Sequence, residues 1–212
     1  SLDHSSFLQK LNQLLKKYPD KLVLIDSRDY SDQLENVILK TNEVEAARLN
    51  GVDATPIDTF SEEEIIQFGK SLYSKNNRPI FISRGENGLI CVDENGAQSI
   101  PGIHIVDQID PVGAGDTMVS ALACCLAAGL SPKDAAQFAN LASVVTVKKR
   151  FQTGTASGDE ILTLADDASF VYNPELADNI IHANLIPDSS VEICTNDIPE
   201  GKIIFIRFGA KG

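Results

Sequence analysis

The sequence predicts an α/β domain whose largely parallel sheet is flanked by helices. Short apolar runs of strand length alternate with segments whose apolar residues recur at helical spacing. A Gly-rich loop, Gly113-Ala114-Gly115-Asp116, stands directly ahead of a helix of small and apolar residues. The composition of the 212 residues, 43% hydrophobic and 23% charged, is that of a globular chain able to bury a core.

Residues 7–17 place Phe7, Leu8, Leu11, Leu14 and Leu15 on one helical face, and Tyr18-Pro19-Asp20 ends that helix. Residues 22–25 (LVLI) then read as a buried strand running to Asp26. Val37-Ile38-Leu39 is a second strand, and Asn42 can cap the helix EVEAARLN that follows. Ser61 with three glutamates behind it opens another helix, expected to reach about Leu72. Residues 79–82 (PIFI) form a strand, and residues 88–92 (GLICV) begin a hairpin turned at Glu94-Asn95-Gly96. Residues 103–106 read as a further short strand. After the Gly-rich loop comes a helix ended by Gly129, then a second opened by Ser131-Pro132.

From about Ala165 the character changes. Asn173-Pro174, Ile186-Pro187-Asp188 and Ile198-Pro199-Glu200-Gly201 punctuate a segment with one short helical stretch, residues 175–185. The chain closes on KIIFIRFGAKG, a strand-like run with no obvious partner. This divides the chain into a domain over residues 1–165 and an extension, 166–212, that reads as a linker or the start of a further domain. No Asp-x-Asp follows the terminal strand, so phosphatase chemistry of the haloacid dehalogenase type is not encoded there.

Eighteen basic against 30 acidic residues leave a net charge of −12, which repels phosphate backbones and argues against nucleic-acid binding. No apolar run approaches the roughly 20 residues of a membrane span, and the first residues lack a signal peptide's apolar stretch, so a cytoplasmic location is expected. Cys91, Cys124, Cys125 and Cys194, with His4, His104 and His182, show no metal spacing, and the cysteines read as reduced thiols.

The chemistry lies in the Gly-rich loop. Its two glycines let the backbone turn tightly and approach a ligand, and the unpaired amides of the helix start attract an anion. The loop lacks the Lys and Ser/Thr of a Walker A motif and the spacing of a dinucleotide fingerprint. Asp116 at that positive end reads either as a plain helix N-cap or as a general base. A base beside bare amide donors suits phosphoryl transfer to an alcohol, the amides holding the charge that grows on the phosphoryl group.

The run IDPVGAGDTMVSAL resembles the C-terminal signature of the ribokinase/PfkB family of carbohydrate kinases. Three more elements follow the family's order: Asn42-Glu43-Val44-Glu45 is similar to its N-x-x-E element, residues 82–88 (ISRGENG) to the strand and turn over the nucleotide, and Phe138-Ala139-Asn140 to the helix beside the adenine. The four matches span residues 22–165. The resemblance implies a ribokinase-like fold and an ATP-dependent sugar kinase. Asp116 would be the catalytic base and Gly113, Ala114 and Gly115 the anion hole. Ser83, Gly85, Gly88 and Asn140 would bind ATP, and Asn42 and Glu45 would organise Mg²⁺ indirectly. Asp110 matches a position that helps bind a monovalent cation such as K⁺, although a turn-capping loop residue would look the same.

Residues 39–45 and the tail FQTGTA at 151–156 look most like the heptose-7-phosphate kinase half of bifunctional heptose synthases. The family's N-terminal part, with its sugar-orienting Asp and its β lid, has no counterpart in the sequence. The expectation is the nucleotide half of a kinase of sugars or sugar phosphates, with weak or no turnover alone. Self-association, or cover by a fused downstream domain, would follow from the exposed core. A non-catalytic nucleotide-binding module and a nucleoside kinase stay open as alternatives.

Overall fold

The computed structural model describes residues 4–26, 31–103, 105, 110–149 and 155–166. The chain enters through α1 (His4–Lys17) and β1 (Leu24–Ile25), then β2 (Ile38–Asn42) leads directly into α2 (Glu43–Leu49). After α3 (Glu62–Asn76) come β3 (Ile80–Ser83) and the hairpin β4 (Leu89–Asp93) and β5 (Gly96–Ile100). Three helices complete the described residues, α4 (Ala114–Ala127), α5 (Pro132–Val147) and α6 (Gly158–Asp166).

The five strands lie in sequence order, β1-β2-β3-β4-β5. β1 runs parallel to β2 and β2 to β3, whereas the hairpin strands β4 and β5 are antiparallel to their neighbours. Alternation along each strand divides the apolar residues between two faces. Ile38, Phe81, Leu89 and Cys91 meet Leu122, Ala139 and Ala142 of α4 and α5. Leu39, Ile80, Ile82, Ile90 and Val92 meet Ala46 of α2 and Ile65 and Leu72 of α3 on the other face. Burial on both faces explains why the central strands read as unbroken apolar runs instead of alternating ones.

Helix starts follow local chemistry. Ser61 accepts from the Glu64 amide while the Glu64 carboxylate accepts from the Ser61 amide, a reciprocal cap. Ser131 accepts from the Asp134 amide, with Pro132 in the first turn of α5. The α3 helix runs a turn past the expected end at Leu72, because the stop signal is Asn77 in the left-handed region at φ 53°.

Three expectations need correction. On α1 only Leu8 and Leu15 are buried, against Leu34 and Val37, with Leu11 at their flank. Phe7 and Leu14 are 57% and 52% exposed, since the contact stripe is narrower than the apolar set. The first strand shrinks to Leu24 and Ile25, with Leu22 exposed before it. Ile103 and Ile105 belong to no strand; they pack as irregular chain against the cluster under α4 and α5. The helix at 175–185, the terminal run KIIFI, and His104, His182 and Cys194 lie outside the described residues, as does the extension beyond Asp166.

Candidate active site

The parallel strands all end at one edge of the sheet, and their last residues are polar. Asp26 follows β1, Asn42 ends β2 and Ser83 ends β3. In open α/β sheets this carboxyl edge is where ligands bind. Asn42 is the N-cap of α2: Glu45 N donates to Asn42 Oδ1 at 2.8 Å and Asn42 N donates to Glu45 Oε2 at 3.1 Å. Thr41 Oγ1 also donates to Glu45 Oε2, at 3.0 Å, which fixes the carboxylate at the strand end. The N-x-x-E spacing is thus a capping box. Ser83 Oγ donates back to Thr41 O at 3.2 Å and joins β3 to β2 there.

Beyond Ser83 the chain makes a single 3-10 turn, Gly85–Asn87, and returns into β4 through Gly88. Gly88 has φ +86°, and a Cβ there would fall 2.2 Å from Ile100 O; a Cβ on Gly102 would fall 1.7 Å from Glu86 O. Two backbone segments are therefore pressed together, and neither position admits a side chain.

The Gly-rich loop meets this turn from the other side. Gly113, at φ 84°, is the N-cap of α4 and supplies no side-chain cap. That rules out Asp116 as the plain N-cap: it is the third residue of the helix. Its carboxylate is exposed and has no hydrogen bond or ion pair among the described residues. The Ala114 amide donates to Pro111 O, while those of Gly115 and Asp116 have no acceptor within the helix. Ser143 Oγ of α5 donates to Ala139 O at 2.9 Å and Ala114 O at 3.3 Å, and Thr146 Oγ1 donates to Thr117 Oγ1 at 2.9 Å. These bonds brace the first turn of α4 against α5.

A cleft of about 990 Å³ opens between the two Gly-containing turns. Ser83, Gly85, Gly88, Ala114, Gly115 and Asn140 all line it, so six residues predicted from sequence share one space. Its walls are mostly apolar, with Ile103, Ile105, Met118 and Val144 among them, a slot suited to a flat heterocycle with a charged tail. Asn140 is buried, and its Nδ2 donates to Pro101 O at 2.9 Å, which ties α5 to the chain leaving β5. A smaller cleft of about 410 Å³, by Leu34, Lys75 and Asn76, lies at the opposite strand ends and holds none of the predicted residues.

Asp110 N donates to Val147 O at 2.8 Å, which brings this residue to the end of α5, and Asp110 Oδ1 accepts from Val112 N at 3.1 Å. Among the described residues no three His, Cys, Asp or Glu side chains converge as a metal cluster. Glu45 remains an oriented carboxylate with the hard oxygen donors that Mg²⁺ prefers, which fits a role through bound water. Sequence reasoning missed Gly102 and Ser143. The described residues contain no helix long and apolar enough to cross a membrane.

A family model described as pfkB family carbohydrate kinase matches residues 5–157. A bifunctional protein named HldE from Helicobacter hepaticus is 28% identical over 89% of this chain and 37% of its own length. Its namesake from Caulobacter sp. strain K31 is 33% identical over 68% of this chain and 29% of its own. The chain thus spans about a third of these relatives. Among solved structures, phosphofructokinase-2 from Escherichia coli in complex with potassium superposes with a TM-score of 0.62 at 20% identity, covering 74% of this chain and 51% of that one. Arabidopsis thaliana ribokinase complexed with ribose and ATP gives 0.61 at 23% identity, covering 76% and 52%. These likenesses show a ribokinase-like fold.

Proposed function

Because the chain belongs to the pfkB family of carbohydrate kinases, we propose that it carries the ATP site and catalytic base of a kinase that phosphorylates a hydroxyl of a sugar or sugar phosphate. The observation that carries this reading is Asp116: an exposed, unpartnered carboxylate on the first turn of α4, beside amides without acceptors, next to a cleft large enough for a nucleotide.

In the reaction, the acceptor hydroxyl loses its proton to an Asp116 carboxylate oxygen as its own oxygen attacks the terminal phosphorus of ATP. The P–O bond to ADP breaks, and ADP leaves with those electrons. The amides of Gly115 and Asp116, at the positive end of α4, stabilise the charge spread over the phosphoryl oxygens. Gly113 shapes this anion hole through its left-handed backbone, and Ala114 lines it. The adenine lies in the apolar slot between the turn of Ser83, Gly85 and Gly88 and the Asn140 side of α5. Asn42 and Glu45 would hold Mg²⁺ through water, where it would neutralise the phosphate chain. Asp110, fixed to the end of α5, is the side chain we assign to a K⁺ site.

For the acceptor we assign a sugar phosphate of the heptose 7-phosphate type, supported by the resemblance of residues 39–45 and 151–156 to that branch. Calorimetric titration of the chain with ATP, with and without Mg²⁺, tests the nucleotide site. ADP formation across a panel of sugars and sugar phosphates tests the transfer. Mg²⁺-dependent ATP binding, with at most weak turnover on a sugar phosphate, is the expected result. ATP binding indifferent to Mg²⁺ and without ADP formation would identify a non-catalytic module, and turnover on nucleosides alone would identify a nucleoside kinase.

A further inference from the structure

We propose that Arg84 is a positioning residue of the nucleotide site: clamped by Glu62, its side chain holds the turn from Ser83 to Gly88 in the form that receives the nucleotide. The proposal rests on the kinase reading above and adds to it two residues, Arg84 and Glu62, that do not line the cleft.

Every residue from Ser83 to Gly88 lines the cleft except Arg84. Its backbone nevertheless closes the turn: Arg84 N donates to Gly88 O at 2.8 Å, and Asn87 N donates to Arg84 O at 3.0 Å. Whatever orients residue 84 therefore orients the wall that its neighbours make. The side chain reaches the first turn of α3, where Nη1 donates to Glu62 Oε2 at 2.6 Å. It is only 11% exposed, and its Nε is buried with no hydrogen-bond partner among the described residues. A guanidinium cannot shed its charge, and an unpaired one is costly to bury, so the carboxylate of Glu62 fixes where this side chain lies.

The anchor itself is firm. Ser61 and Glu64 cap α3 reciprocally, which fixes the turn that carries Glu62. Behind it Ile65 is fully buried, and a Cβ on Gly69 would lie 2.7 Å from Val92 Cγ2, so the helix is seated closely on the sheet. Residues 100–102 press on the far end of the turn at Gly88, whereas Gly85 has open space around it. The clamp thus restrains the end that backbone packing leaves open. A wall held in place keeps its contacts to a ligand at fixed distances, and a small displacement loses them together.

The test measures ATP affinity by calorimetry with Mg²⁺, beside urea denaturation, on the full chain. The variants are Glu62→Gln, Glu63→Gln, Arg84→Met and Arg84→Met/Glu62→Gln. Charge and position predict opposite signs for Glu62→Gln: removing a carboxylate lowers the repulsion of an anion and would tighten ATP, whereas losing the clamp weakens it. Glu62→Gln and Arg84→Met are each expected to weaken ATP several-fold. Glu63→Gln removes the same charge from an exposed neighbour and is expected to leave ATP binding unchanged. In the Arg84→Met background, Glu62→Gln is expected to have no further effect. If Arg84→Met fails to fold, the comparison of Glu62→Gln with Glu63→Gln decides alone. A folded Glu62→Gln chain that binds ATP as well as wild type or better overturns the proposal, even if its denaturation midpoint falls, and so does an equal loss in Glu63→Gln. Either result leaves the kinase reading standing. A folded wild-type chain that binds no ATP overturns the kinase reading, and this proposal with it.

Discussion

Asn42 and Glu45 each satisfy the other's backbone, Glu45 N donating to Asn42 Oδ1 and Asn42 N donating to Glu45 Oε2, at the point where β2 turns into α2. The pair proposed to organise Mg²⁺ is also the pair that starts a helix. Structure and chemistry therefore place separate demands on the same atoms, and substitutions can separate them. Asn42→Ala removes the cap and should lower stability by about 1 kcal/mol in urea denaturation. Asn42→Ser keeps a capping oxygen and should fold with nearly wild-type stability, yet lose most of the Mg²⁺ dependence of ATP binding. Equal Mg²⁺ dependence in wild type and Asn42→Ser would confine this residue to capping.

Asp116 has no partner among the described residues to lose, so its replacement should spare the fold. Asp116→Asn keeps size and shape but removes the proton acceptor. In an assay of ADP formation it should cut kcat by orders of magnitude with little change in ATP affinity. Turnover near wild type would refute the base assignment.

The turn over the cleft predicts an order among glycines. Gly85 has φ +56° with open space around it, so Gly85→Ala meets only the left-handed backbone penalty of about 1 kcal/mol. Gly88→Ala meets that penalty and a carbonyl 2.2 Å from its Cβ, so its cost should be about 3 kcal/mol or more. Gly102→Ala belongs with Gly88→Ala, because its Cβ would overlap Glu86 O. Thermal denaturation of the three variants checks the order, and a Gly88→Ala chain as stable as Gly85→Ala would contradict the packing described.

The difference between Gly88 and Gly102 shows what the sequence could reveal. Gly88 sits within a motif of fixed spacing, so one segment carries its signal. Gly102 matters only because residues 100–102 press against residues 86–88, an encounter no local pattern encodes. Ser143 is likewise buried 29 residues from the Ala114 carbonyl it donates to, and its hydroxyl reads in sequence as an ordinary helix position. The doubly covered strands were legible because burial on both faces leaves an unbroken apolar run. The α1 stripe was overread because Phe7 and Leu14 have helical spacing without a neighbour to cover them.

The far end of α5 carries a pH-dependent tie to α6. Lys149 Nζ donates to Glu160 Oε2 at 2.8 Å and to Thr155 O at 2.6 Å, while Ser157 N and Oγ donate to the same carboxylate at 2.8 and 2.9 Å. The Lys149 hydrogen bond, followed by those of Ser157, holds the Glu160 carboxyl down at about 2, from an ordinary value of 4.5. A depressed folded value means that the ionised carboxylate stabilises the fold above the unfolded value, and that this contribution fades as pH falls from 4.5 toward 2. Glu160→Gln should therefore be less stable than wild type at pH 7, with a gap that narrows steadily between pH 5 and pH 3. The side chain is 42% exposed, so added salt should also shrink the gap at neutral pH. Urea denaturation of both chains at pH 7, 5 and 3 measures it. A gap of constant size across that range would show that the carboxylate's charge plays no part in joining α5 to α6.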